Sequence, residues 1–551
     1  DIPLVTLIKD SKIYKKVSVL TGKCPDCKTS YSADHERFFH EFGGAKQPKR
    51  VYLNSAKYLK IGSNLWVDQL FSSSVINAMY SFHASASAYS QYWNITYGTK
   101  STNLSRAHIW QAFVQDSLRT IAGESNIDLE LNDPLNITEV TTQAFDLLGE
   151  QGIIRAANQH ACSECTQPYK KTSDAVMADP AAVVGVDENQ DVPPLAEDDR
   201  VSPQPAPPVY EDNSDNAMDV DKRNVTMVVL DGVVMGPTHC AIDDCVNNLL
   251  NSGGASLCDV HNEELGSKCL VHDCTNDRFR DTSACQEHRA EWQKFTKYQT
   301  RQTRSGIRRM LQRPGEAQPW NPQRRGPNLQ HHDDDNEEPP LPSNYFSPAR
   351  FYCVETHCAP CGVVIAWTKF ARSESTTNIL HFLESVYPTE DSRPDYICID
   401  KACQVLRTAV SNGSWDAMKH TSRFIVDTFH YLGHRTTDFL CRTYCNPSPG
   451  DGSAPNLVII EYDDNGHPHA KRAFNTQVCE QLNAWLGGFE LILKHMKPGN
   501  FNWFLHAMLF YHTKHVLTQQ KRKAKSQEIN GDEEDLGLDE EPLESNISES
   551  E

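Results

Sequence analysis

Six cysteines and two histidines recur in one order: Cys240-x4-Cys245-x12-Cys258-x2-His261, then Cys269-x4-Cys274-x10-Cys285-x2-His288. Each half offers three thiolates and one imidazole, the complete tetrahedral shell of a structural zinc, and the repeat makes chance a poor explanation. A block this short has too few large apolar residues to fold around buried free thiols. We expect two zinc ions here, with pairing inside each half the simplest choice; interleaved ligation would use the same residues. Two further knuckles, Cys24-x2-Cys27 and Cys162-x2-Cys165, read as the halves of one zinc ribbon around a long insertion, which brings the expected structural zinc to about three. Closed shells of this kind fold a chain and present a surface without doing chemistry.

Chemistry needs a different set. "DYICID" reads as a strand ending on Asp400, followed by the helix-like "KACQVLRTAV". Asp before a helix is commonly an N-cap, but the ends of strands are also where open α/β sheets collect functional groups. Glu355 in the strand-like "RFYCVETHCAP" and Glu480 in the helix-like "NTQVCEQLNAWLGGFELIL" can be brought to Asp400 by such a sheet. Gathered carboxylates suit hard cations such as Mg2+ or Mn2+, and two metals can clamp both oxygens of a phosphoryl displacement. Asp427 and His430 lie between them, and His430 with His434, Cys441 and Cys445 makes a further candidate metal set. A histidine after a strand more commonly orients a neighbour. Cys358-x2-Cys361 has no evident partner pair.

The elements that must position these residues follow from periodicity. Residues 1–174 open and close with Cys pairs, and the material between reads as mainly helical, as in "LWVDQLFSSSVINAMYSF" and "AHIWQAFVQDSLRTIA". Residues 175–224 form an acidic, Pro-rich stretch that cannot bury a core and reads as a disordered linker. The tandem Cys/His module spans 225–293. From 294 to 342 the chain is first basic and then acidic; nine Lys or Arg stand against one Glu between Lys294 and Arg325. Strands and helices alternate over 343–519, and 520–551 is a basic and then acidic disordered tail. The fold class is therefore multidomain α+β: a helical zinc-cluster domain, a small zinc module and an α/β core.

The formal charge of −20 on 551 residues argues against a nucleic-acid partner until it is located. The acidic excess of Asp187–Asp221, Asp333–Glu338 and Glu528–Glu551 exceeds the whole deficit, so the foldable parts are mildly basic. Arg301, Arg304, Arg308 and Arg309, interleaved with aromatic residues, suit contact with phosphates. No run of about 18 apolar residues marks a membrane span, no signal-peptide pattern is present, and cysteines paired with histidine favour zinc over disulfides. We expect an intracellular chain, unattached to membrane, whose natural start lies upstream.

The order of an N-terminal Cys cluster, a Cys/His cluster, and then "CGVVIAWTKF", "YICIDKACQVLRTAV", "FIVDTFHYLGHRTTDFLC" and "FNTQVCEQLNAWLGGFE" resembles the fungal KDZ (Kyakuja-Dileera-Zisupton) transposases, over roughly residues 1–515. The resemblance implies CxC cysteine-cluster domains ahead of a ribonuclease-H-like core, cut-and-paste DNA cleavage and strand transfer, catalytic Mg2+ or Mn2+, DNA ends and target as partners, a homo-oligomer, and a nuclear location. By it, Asp400 matches the second acid of the catalytic triad, Glu480 the last, and Asp427 with His430 the D-x2-H signature between them. Glu355 takes the place of the first acid, where the family usually has Asp. The rival readings are a domesticated zinc-cluster protein that binds DNA or chromatin with an inactive core, and a RING-like ubiquitin ligase built on the middle cluster.

Overall fold

The computed structural model describes residues 3–170, 223–302 and 344–529, apart from 43–44, 100–101, 150–151, 159, 243–244, 246, 250–254, 347–350, 371–373, 435–437, 450–453, 464–465 and 495. The linker over 175–222, the segment 303–342 and the acidic tail from 530 onward lie outside the described residues.

The N-terminal segment is richer in strands than its helical periodicities suggest. Strands β1 (Leu4–Lys9), β2 (Lys12–Ser18), β7 (Tyr58–Lys60) and β8 (Leu65–Asp68) form a four-stranded sheet in the order β2-β1-β8-β7. A second sheet takes β3 (Gly22–Lys23), β4 (Ser30–Tyr31), β5 (His35–Phe42), β6 (Ala45–Tyr52) and β9 (Leu129–Asn132). "HERFFHEF" and "AKQPKRVY" pair from His35–Tyr52 to Phe42–Ala45. Strands held by cross-strand pairing carry no helical period to read, so a search for helices passes over them. The helices expected here do form: α1 (Gln69–Phe82), capped by the Asp68 carboxylate, then α2 (Ala86–Thr96), α3 (Arg106–Glu124) and α4 (Ile137–Leu148). A short strand, β10 (Thr166–Pro168), follows.

The second half begins with β11 (Asn224–Thr238), whose run of Val, Met and Leu suits a strand covered on both faces. Next come α5 (Asp259–Leu265), α6 (Arg289–Gln302), β12 (Phe351–Cys358), β13 (Val364–Phe370), α7 (Thr376–Val386), β14 (Tyr396–Ile399), α8 (Ala402–Asn412), α9 (Trp415–Met418) and β15 (Arg423–Ile425). Then follow α10 (Thr428–Tyr431), α11 (Phe439–Tyr444), the hairpin β16 (Val458–Tyr462) and β17 (Pro468–Arg472), α12 (Val478–Gly487), α13 (Glu490–Leu493) and α14 (Pro498–Ile529). The central sheet runs β13-β12-β11-β14-β15, with β10 added to the start of β11. β12 is antiparallel to both of its neighbours, β13 and β11, and β14 and β15 run parallel to β11.

Three expected boundaries move. β11, assigned from sequence to the Cys/His module, is the middle strand of the sheet, so that module is inserted between two paired strands, β11 and β12. Lys294–Gln302, expected in a linker, continues α6, and Lys521–Lys525, expected in a disordered tail, continues α14. The N-terminal segment also shares its core with α14: Phe113 and Phe504 lie 5.3 Å apart between ring centroids, and the Trp503 indole donates to Ser117 Oγ at 3.0 Å. The molecule is a mixed α+β protein whose large core crosses the divisions drawn from composition.

Candidate functional site

Leu230 and Ile399 are paired partners on the parallel strands β11 and β14. One residue further along each strand stand Asp231 and Asp400. Adjacent strands lie about 4.8 Å apart and paired residues face the same side, so the two carboxylates project side by side. Helix α12 packs over them. Its Cys479 Sγ, fully buried, donates to Val229 O at 3.1 Å, and its Asn483 amide donates to Asp231 Oδ2 at 2.6 Å. These contacts fix the face of the helix, so that Glu480 sits exposed in its first turn beside the two aspartates. Burial, and then the charges of Glu480, Asp400 and Glu374, push the Asp231 carboxyl up to about 7, against the bond from Asn483.

Asp400 does not act as the helix cap that its position suggested. The cap residue of α8 is Lys401, without a side-chain bond, and Asp400 Oδ1 accepts from the Lys401 amide at 2.7 Å. Asp427 does cap a helix: its Oδ1 accepts from the Phe429 amide at 2.8 Å, and its Oδ2 holds His430 Nδ1. Burial pulls the imidazole down, but the bond to Asp427 and the charges of Asp427, Asp400 and Glu480 outweigh it, so the His430 pKa is raised. Asp427 and His430 therefore stand at the edge of the carboxylate group, with His430 partly exposed.

Glu355 is placed elsewhere. It pairs with Gly232, not Asp231, and alternate residues of a strand face opposite sides. A Cβ on Gly232 would lie 2.8 Å from Glu355 Oε2 and from Glu374 Oε2 and 2.9 Å from Cys353 Sγ, so glycine is what leaves room for this second group. Glu355 is fully buried and neither of its oxygens has a hydrogen-bond partner among the described residues. Burial, followed by the charges of Glu374 and Asp231, raises its pKa well above the carboxylate range, with Lys401 opposing. The acid that periodicity and spacing did not single out is Asp231. "VVLDGVV" carries the signal, an acid inside an apolar strand, but it precedes the cysteine block and groups with it by position.

The two halves of the Cys/His repeat are separate four-ligand groups, Cys240, Cys245, Cys258 and His261, and Cys269, Cys274, Cys285 and His288. In the first, His261 Nδ1 lies 3.4 Å from both Cys240 and Cys258 Sγ; in the second, His288 Nδ1 lies 3.6 and 3.4 Å from Cys269 and Cys285. The backbone repeats as well: Cys240 N donates to Asn247 O, and Cys269 N to Asn276 O. Donor type, number and spacing fit zinc, with ligation inside each half and no interleaving.

The expected ribbon of Cys24, Cys27, Cys162 and Cys165 is not formed. Cys162 and Cys165 group instead with His160 and Cys361, whereas Cys24 and Cys27 belong to no group of three or more ligands among the described residues. The late histidine and cysteine set is also regrouped. His434 Nδ1 meets Cys441 Sγ at 3.0 Å and Cys403 Sγ at 3.6 Å, while His430 is taken by Asp427. Of the basic residues expected to meet phosphates, Arg301 lies on α6, and Arg304, Arg308 and Arg309 fall outside the described residues. No helix among the described residues is long and apolar enough to cross a membrane.

Thiolate and imidazole clusters set into and around a sheet that gathers carboxylates at a strand end define a cysteine-cluster protein of mixed α+β class, with donor sets suited to zinc. Residues 1–97 match the family model of the CxC5 like cysteine cluster associated with KDZ transposases. Residues 229–295 match that of the CxC6 like cysteine cluster associated with KDZ transposases, beginning on β11 itself. The two matches support a KDZ-family transposase, or a protein derived from one. No curated protein and no solved structure matches the chain.

Proposed function

We propose that the chain is an active DNA transposase, in which Asp231, Asp400 and Glu480 form the acidic centre of a ribonuclease-H-like core. The observation that carries this reading is the pairing of Leu230 with Ile399, from which Asp231 and Asp400 emerge together beneath Glu480. Asp231 supplies an aspartate at the first position, which the order of motifs had given to Glu355. An all-oxygen donor set, partly open to solvent and dense in negative charge, suits Mg2+ or Mn2+. Such ions, when bound, activate a water or a 3′ hydroxyl and stabilise charge on the phosphate under attack.

The protein's own residues have distinct parts. Asp231 and Asp400 are held by adjacent strands, so their separation is set by backbone pairing. The Asn483 amide donates to Asp231 Oδ2 and the Gly232 amide to Oδ1 at 2.8 Å, so the orientation of this carboxylate is fixed from both sides. Glu480 comes from a helix whose buried face is anchored on β11, and its place in the first turn suits a negative charge. Asp427 orients His430, which keeps a proton near a site where phosphate oxygens would lie. The zinc module, inserted between β11 and β12, would carry DNA contacts to this sheet, and a nuclear location follows from that partner.

The test is cleavage and strand transfer of DNA carrying the element's ends, with Mg2+ or Mn2+. Asp231→Asn, Asp400→Asn and Glu480→Gln should each lower cleavage at least about a hundredfold while DNA binding persists. Binding without cleavage in the unaltered protein would leave the domesticated binder as the correct reading.

A further inference from the structure

We propose that His160, Cys162, Cys165 and Cys361 form a further zinc site, a clasp that fastens the end of the N-terminal segment to the β12–β13 turn. The four ligand atoms lie within 4.8 Å of one another. Cys162 and Cys165 Sγ are 3.4 Å apart, and His160 Nε2 is 3.3 Å from Cys361 Sγ. Zn–S bonds of about 2.3 Å at tetrahedral angles require sulfur atoms roughly 3.8 Å apart, so little movement is needed. The first repeat cluster shows the same scale, 3.4 to 3.9 Å.

The backbone around the four residues is shaped for this. Thr166 N bonds to Cys162 O at 2.9 Å and Cys165 N to the same oxygen at 3.1 Å, a knuckle that turns both thiols inward, and Cys162 N reaches Cys165 Sγ at 3.3 Å. On the other side Gly362, at φ +91°, closes the turn with its N–H on Ala359 O, presenting Cys361. From α14, the Gln520 amide points at Cys162 Sγ at 3.6 Å, as a donor supporting a thiolate ligand does. Cys361 has no partner pair in the sequence because its partners lie about two hundred residues earlier.

The clasp joins three parts of the chain that are far apart in sequence. Ile153 bridges to Ala366 and Ile154 N bonds to Ile365 O at 2.9 Å, β10 pairs with the start of β11, and α14 lies across the site. Its level on the sheet is toward the start of β11, away from the strand end where Asp231 and Asp400 stand, so the site is structural and independent of the catalytic reading.

Metal analysis of the full-length protein tests it. Cys361→Ser should lose one zinc per chain, as Cys285→Ser should from the repeat, whereas Cys358→Ser and the double change Cys24→Ser, Cys27→Ser should lose none. Unchanged zinc content in Cys361→Ser, or a Cys162–Cys165 disulfide in the purified protein, would overturn the proposal. Should the serine variant not fold, Cys361→His in cobalt-loaded protein serves: it keeps four donors and should keep the metal count while weakening thiolate-to-cobalt absorption. Absorption identical to the parent's would equally overturn it.

Discussion

Burial, and then the neighbouring negative charges, push the Asp231 carboxyl up to about 7, which produces a pH dependence. In the unfolded chain it would ionise near 4, so between about pH 4 and 7 the folded protein holds a proton the unfolded chain has released. Stability of the metal-free protein should therefore fall as pH rises through that window, and Asp231→Asn should flatten the fall. Denaturant titrations at pH 5 and 8 measure it. A cation must displace the same proton, so Mn2+ binding at pH 6.5 should release protons and tighten toward pH 8, which calorimetry in buffers of different ionisation heat reads directly. Glu355 gives the opposite expectation. Buried on the opposite face of the sheet, it should tolerate Glu355→Gln with cleavage within severalfold of the parent, whereas a catalytic ligand would cost orders of magnitude.

At the scale of elements, the site depends on how closely segments approach. Gly152, at φ +103°, lies against β13 so tightly that a Cβ there would collide with the Trp367 carbonyl oxygen. Backbone atoms cannot yield as a side-chain tip can, and the φ itself disfavours other residues. Gly152→Ala should therefore destabilise the protein by about 2 kcal/mol or more, lowering the denaturation midpoint without touching the acidic centre. The zinc repeat has a different kind of stability. Its buried core is cysteine with Leu257, Leu270, Ala284 and Phe346, edged by half-buried residues such as Trp292, Phe295 and Tyr345, and a core this small needs a further source of folding energy. Chelation should therefore unfold the module, and Cys258→Ser with Cys285→Ser should remove two zinc ions from the full-length protein.

For the whole molecule, the proposed function makes the contrast between acidic segments and a mildly basic remainder the feature that would steer the encounter with DNA. The basic run that begins on α6 follows directly from the second zinc cluster, since His288 immediately precedes the helix. Neutralising Arg301, Arg304, Arg308 and Arg309 should weaken DNA binding and flatten its salt dependence. For every phosphate left without its cationic partner, the slope of log K against log salt should shrink by about 0.9. Equilibrium binding measured across a series of salt concentrations would show it, and an unchanged slope would place the DNA path elsewhere.

By itself the sequence determined the local chemistry. The repeat of Cys240 to His288 was legible because ligands a few residues apart meet whatever the rest of the chain does, and Asp400 was legible because a strand followed by a helix fixes where its end lies. Asp427 and His430 were found for the same reason, three residues apart across one turn. Only the tertiary structure decided what crosses long gaps. Asp231 replaced Glu355 beside Asp400 because strand pairing, with its two-residue alternation, sends one acid to each face, and no spacing in the sequence encodes which partner strand sets the register. Cys361 joined Cys162 and Cys165, and Cys24 with Cys27 did not, because the turn between β12 and β13 reaches the knuckle while the N-terminal pair belongs to a different sheet. Non-local contacts are chosen by the packing of whole elements, and that choice is made only when the sheet closes around β11.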